Sequence, residues 1–128
     1  MRTLFLVGAA AIALGFAYQM TRPLEGTSWE VKTKADSFFS LSHRDTLIFK
    51  DGRLTSARWA DQGFAPAGYA AKREEGKSAS WAASLRQDGK GTLVWHGMAR
   101  GDRMEGTLQW TSEDGRTRSY KFKGVRSS

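Results

Sequence analysis

The chain contains no cysteine, which removes disulfides, thiolate zinc sites, iron–sulfur clusters, cysteine nucleophiles and the lipidated cysteine of bacterial lipoproteins together. Asparagine is also absent, so N-glycosylation is excluded and tight turns rest on aspartate and glycine. Proline occurs only 2 times, against 14 glycines. Acidic residues are in the minority, 13 against 20 Lys and Arg, for a net charge of +7. No apolar run reaches the roughly 20 residues that a spanning helix requires. With 128 residues there is room for one core and not for two. What the chain does have is aromatic residues, 12% of the total with 5 Trp, in a sequence 40% hydrophobic and 26% charged. That composition folds.

The amino terminus reads as a targeting segment. Arg2 supplies a basic start, and residues 4–18 form an apolar run rich in alanine and glycine before polar Gln19, Thr21 and Arg22. The run is short for a membrane span and suits a secretory signal peptide. Gly15 and Ala17 are small residues at the −3 and −1 positions of a cleavage site after Ala17. The organisation expected is therefore a helical signal peptide over 1–17, a linker over 18–25 and a single domain over 26–128. An uncleaved signal that tethers the protein to the inner membrane is the alternative, and a buried helix of a cytosolic domain is the plainest competitor. Export to the periplasm or beyond is the reading taken.

From residue 26 onward the turn chemistry describes a β-meander. Asp51-Gly52, Asp88-Gly89 and Asp114-Gly115 are hairpin-turn pairs, and Gly101-Asp102 is their reverse. The last three turns begin at 88, 101 and 114, evenly spaced, which leaves strand-length segments between them. Within those segments the residues alternate. Met104, Gly106, Leu108 and Trp110 oppose Glu105, Thr107, Gln109 and Thr111, and Trp29 and Val31 oppose Glu30 and Lys32. Strands are predicted over 27–34, 44–50, 53–60, 64–73, 78–87, 91–99, 103–111 and 117–125. The one place for a helical turn is 34–41. Eight strands joined by short loops must hide their edges, so the fold class expected is all-β, an eight-stranded antiparallel up-and-down barrel; a sandwich is the runner-up.

Gly26-Thr27-Ser28-Trp29 on the first strand and Tyr120-Lys121-Phe122-Lys123-Gly124-Val125-Arg126 on the last resemble the calycin superfamily, and in particular small exported bacterial lipocalin-like domains. The resemblance implies a structural pair that closes one barrel end, the Trp29 indole covered by the Arg126 guanidinium, worth roughly 0.5–2 kcal/mol as a cation–π contact. The run from Trp95-His96-Gly97 to Gly124 is also similar to the last strands of avidin-type barrels, without the polar residues that hold biotin there.

No catalytic pattern is visible. His43 and His96 lie far apart without acidic neighbours at ligand spacing, and no nucleophile elbow, phosphate loop or zinc-binding helix occurs. A non-enzyme without metal or cofactor is expected. Arg100-Gly101-Asp102 spells an integrin tripeptide, but the hairpin turn itself demands Gly and Asp there. Trp59, Tyr69, Trp81, Trp95, Trp110 and Tyr120 fall on successive strands and would converge on the barrel interior, either as the walls of a pocket or as a packed core. Arg58 and Arg86 are candidates to meet an acidic head group there. The function expected is binding of a small apolar or amphipathic ligand. The alternative is a structural or interaction module of the cell envelope, with a packed barrel and a basic outside that attracts anionic surfaces. The densest basic cluster, Arg116, Arg118, Lys121 and Lys123, is expected on the outer face of the last strand. Export argues against nucleic acid as the partner of this charge.

The export reading has a direct test. Residues 1–26 fused to a reporter that works only outside the cytoplasm are expected to confer activity, whereas a cytoplasmic, soluble and uncleaved fusion would overturn the assignment.

Overall fold

The computed structural model describes residues 23–35 and 41–128. The expected signal peptide, most of the linker and most of the expected helical turn over 34–41 lie outside these. Eight strands form a closed antiparallel barrel in chain order: β1 (Thr27–Ala35), β2 (Ser42–Lys50), β3 (Arg53–Ser56), β4 (Ala67–Arg73), β5 (Ser78–Gln87), β6 (Gly91–Arg100), β7 (Arg103–Thr111) and β8 (Thr117–Arg126), with one short helix, α1 (Ala57–Ala60), after β3. Closure is made by β1 and β8, whose ladder runs from Trp29 opposite Arg126 to Ala35 opposite Tyr120. Beyond the ladder, Ser127 N–H donates to the Ser28 carbonyl at 2.8 Å. No terminal strand edge is left open, which is what a small all-β chain gains from closure.

Period-2 alternation is realised on every long strand, with Trp29, Val31 and Thr33 inside β1 and Leu47 and Phe49 inside β2. The turns also follow their sequence. At Asp51-Gly52 both residues take positive φ, 55° and 73°, the type I′ geometry whose twist matches the flanking strands. Sequence reasoning fails between β3 and β4. Residues 57–60, expected to continue a strand, form α1, and β4 begins only at Ala67. The reason is local: the Ser56 hydroxyl accepts from Trp59 N–H at 3.2 Å and caps the turn. The detour lays Trp59 and Phe64 over the barrel end, both buried. At the opposite end the fold begins before residue 26. Leu24 is buried, and the Glu25 carboxylate accepts from Gly52 N–H at 3.1 Å and from the Tyr69 hydroxyl at 2.8 Å.

Inside, bulk is balanced by glycine. Gly97 and Gly106 face one another across β6 and β7, and Phe122 lies opposite Gly106 on β8. A β-carbon at Gly106 would overlap the His96 carbonyl oxygen and lie 2.7 Å from the Phe122 ring. The first of these is ladder backbone and cannot move aside. Gly106→Ala should therefore destabilise by about 3 kcal/mol through overpacking. That is on the order of 10 °C or more in melting temperature for a domain this size. Thr107→Ala, on the exposed face one residue away, should stay within about 0.5 kcal/mol. Thermal melts of the two variants check this, and equal stability would show that the strands can separate at Gly106.

Candidate functional site

Of the six aromatics expected to line a pocket from successive strands, Tyr69, Trp81 and Trp95 are buried in the lumen, Trp59 is buried on α1 rather than on a strand, and Trp110 and Tyr120 are half-buried. Trp81 stacks on Trp95 at 6.4 Å between ring centres, and Phe49 meets both Tyr69 and Trp81 edge-on at 4.9 Å. Phe122 closes against Trp95 at 5.5 Å. A second group forms under α1, where Trp59 packs on Trp110 at 5.4 Å, on Phe64 at 5.6 Å and on Tyr120 at 6.4 Å. Trp110 and Tyr120 are only half-buried, and the Trp110 indole donates to the Lys90 carbonyl at the rim. Trp29, Leu47, Phe49, Leu85, Leu93, Trp95 and Leu108 show 0–1% exposure. The lumen is occupied by its own side chains. Within it, Trp59, Trp81 and Trp95 keep indole N–H groups, and Thr33 a hydroxyl, without a hydrogen-bond partner. Each such group costs about 1–3 kcal/mol, which the burial of the rings offsets.

The two arginines expected inside are placed differently. Arg58 is half-buried on α1, with its guanidinium 5.8 Å from the centre of the Trp59 ring. Arg86 is on the outside, because Leu85 takes the inward position on β5. There it pairs with Glu113 at 3.1 Å and Asp88 at 3.6 Å, which corrects its assignment to an interior head-group site. Trp29 lies opposite Arg126 in the ladder and donates through its indole to Thr27 Oγ1 at 2.9 Å. The Arg126 guanidinium donates to the Ser128 carbonyl. Among the described residues the cation resting on a ring is Arg58.

The larger cavity is a furrow of about 740 Å³ on the outside of the barrel, within the range of small-molecule sites. It crosses the strands and runs between two rows of outward side chains. One row reads Arg44, Lys32, Lys123, Glu105, Met98 from β2 through β1, β8 and β7 to β6, each residue directly opposite the next. The other reads Glu30, Val125, Arg103, Arg100 from β1 to β6. Val31, Met104 and Gly124 lie between the rows on the inward parity, so the floor between the rows is main chain. Five strands at about 4.8 Å spacing give a furrow about 19 Å long. Lys32 faces Arg44 on one side and Lys123 on the other, and Lys34 faces Lys121. Like charges directly opposite destabilise a sheet. Among the described residues the ion pairs belong to Arg86 and Arg116, so these lysines have no carboxylate within 4.0 Å. Lys121 and Lys123 are thus outward as expected, whereas Arg118 has the inward parity of β8 and stands exposed at the rim opposite Trp110. A smaller cavity of about 350 Å³ at the chain-terminus end is bordered by Arg73, Lys77, Asp102 and Arg126.

Sequence reasoning missed Lys32, Arg44, Met98 and Val125 as site residues. Alternation puts each on the outer face, but their adjacency depends on register across five strands. Among the described residues no group of three His, Asp or Glu side chains is arranged to hold a metal ion. Comparison of the chain with protein-family models, curated proteins and solved structures returns no match.

One buried carboxylate stands apart from the furrow. Asp45 is 4% exposed and accepts from the Ser56 hydroxyl at 2.5 Å and from Arg58 N–H at 2.9 Å, which ties α1 to β2. Burial pushes its carboxyl above the usual aspartate value, against the opposing pull of the Ser56 and backbone hydrogen bonds and the nearby Arg58 charge. The folded protein therefore holds this proton more tightly than the unfolded chain. The contribution is fully present below the unfolded value and is lost as pH rises through the folded one. Asp45→Asn should flatten that part of the stability profile in melts taken from acidic to neutral pH. An unchanged profile would mean that Asp45 titrates as an ordinary carboxylate.

Proposed function

We propose that this protein is a non-catalytic binding module of the cell envelope, which works from the outside of a filled calycin-like barrel and engages an anionic partner surface. The observation that carries the reading is the row Arg44, Lys32, Lys123, three cations directly opposite one another, with a single carboxylate in the row, Glu105 opposite Lys123, and no ion pair within 4.0 Å among the described residues. Each like-charge pair costs the fold about 0.2–1 kcal/mol. An anionic partner removes that repulsion and gains from it, because the cations already converge. The basic start and apolar run of residues 2–18 support delivery to a compartment where anionic lipid head groups are the abundant partner of this kind.

A second reading keeps the ligand inside. Trp59, Trp81 and Trp95 carry buried N–H groups without acceptors, and a small apolar or amphipathic molecule bearing an oxygen would satisfy one of them. It would have to displace packed rings, which makes the outer face the better supported site.

The outer-face reading predicts a stability–binding split. Lys32→Gln and Lys123→Gln in the full chain should each leave melting temperature unchanged or raise it. Each should weaken binding to phosphatidylglycerol vesicles about fivefold, the worth of one cation near an anionic surface. Binding to zwitterionic vesicles, which measures the apolar amino terminus alone, should not change. If both variants bind anionic vesicles as tightly as the parent, the outer face is not the site.

A further inference from the structure

The furrow holds more than charge. Val125 is 51% exposed and stands on the furrow. Met98, half-buried, ends the opposite row on β6. Between them the floor is formed at Val31, Gly124 and Met104. The side chains of Val31 and Met104 belong to the lumen and are 2% exposed, so the furrow meets their main chain. Gly124 likewise has the inward parity of β8, where a β-carbon would run into Val31 and the Glu30 carbonyl, so it too meets the furrow through its main chain. Arg100 and Arg103 border the furrow on the β6–β7 side, where their methylene stems can lie along an apolar ligand while the guanidinium groups stay in water. The three crowded cations Arg44, Lys32 and Lys123 stand at the other end.

Along the furrow the three cations of β2, β1 and β8, with Val125 beside the last, are followed by Glu105 and Arg103 on β7 and by Met98 and Arg100 on β6. A flat anionic surface uses only the cations of this order. We infer that the furrow binds one single-chain amphiphile at a time, its acidic head group held by Arg44, Lys32 and Lys123 and its alkyl chain laid across Gly124 and Val125 toward Met98. The inference rests on the outer-face reading and narrows it to a class of ligand, a monomeric alkyl acid. Charge complementarity selects the acid, since five cations and two carboxylates border the furrow. Val125, Met98 and the methylene stems of the bordering lysines and arginines give the alkyl chain its apolar contact. The length of about 19 Å and the volume of about 740 Å³ suit an extended molecule of this type. Glu30, whose carboxylate accepts from the Thr46 hydroxyl at 3.0 Å, is held on the β1 border of the furrow. Glu105, between Lys123 and Met98, discourages a second acidic group along the chain.

Methionine supplies the reporter. The 4 methionines are Met1, Met20, Met98 and Met104, so methyl NMR of the full chain with labelled methionine separates the amino terminus, the furrow and the lumen. Decanoate, kept monomeric, is expected to shift the Met98 methyl in a saturable way and to bind about tenfold more tightly than decanol, through charge-assisted contacts that decanol cannot make. Acetate should leave the spectrum unchanged. Val125→Glu, at an exposed position that folding tolerates, should abolish the Met98 response, and Lys32→Gln should weaken it. Shifts confined to Met1 and Met20, or to Met104 alone, would place decanoate on the amino terminus or in the lumen and overturn the inference. Charge-dependent binding to phosphatidylglycerol vesicles with no response of Met98 to decanoate would also overturn it, while leaving the outer-face reading in place. Loss of both responses would sink both.

Discussion

Pairing of β1 with β8 is the constraint on which the rest of this molecule depends. Closing eight strands removes every terminal edge, and it also fixes the width of the lumen and the parity of every residue around the circumference. Once the width is set, the interior must be filled to the density of a protein core. Tryptophan and phenylalanine from β1, β2, β5, β6 and β8 do most of this. Where their bulk meets from facing strands, Gly97 and Gly106 give way. Aromatic fill and glycine relief are two sides of one volume condition.

The same closure arranges the outside. Strands far apart in the chain become neighbours, so β1 carries Lys32 into a position between Arg44 of β2 and Lys123 of β8. None of these contacts improves the fold, and the like-charge pairs work against it. The furrow between the rows is a product of the pleat. Residues that point outward stand two positions apart along each strand, and the main chain between them is left as a floor where no bulky side chain covers it.

The two barrel ends are closed by different chemistry. At one, α1 is bound through Asp45 and Ser56, a buried polar clasp under an aromatic lid of Trp59 and Phe64. At the other, Glu25 holds the β2–β3 turn and the Tyr69 hydroxyl together, and Leu24 fills beneath. Both clasps use a carboxylate to satisfy backbone donors outside the ladders. At the α1 clasp, burial raises the proton affinity of the carboxylate. With both ends packed in this way, the larger of the two cavities described lies on the outer face.

The sequence by itself determined the strands, their inner and outer faces and most of the turns. Alternation with period two and Asp-Gly pairs are local signals, readable without knowing what lies across the sheet. Closure was also legible, because eight strands on short connections leave few other ways to protect two edges. The helix after β3 was not, since residues 57–60 carry strand-like neighbours and the deciding bond is a cap from Ser56, itself held by Asp45 eleven residues earlier. Whether the lumen is hollow was equally hidden, because alternation names the residues that face inward and says nothing of how much space they leave. The order Arg44, Lys32, Lys123, Glu105, Met98 was furthest from view. It exists only after five strands take their register, and register is a property of pairs of strands, set by packing and closure rather than by any single segment.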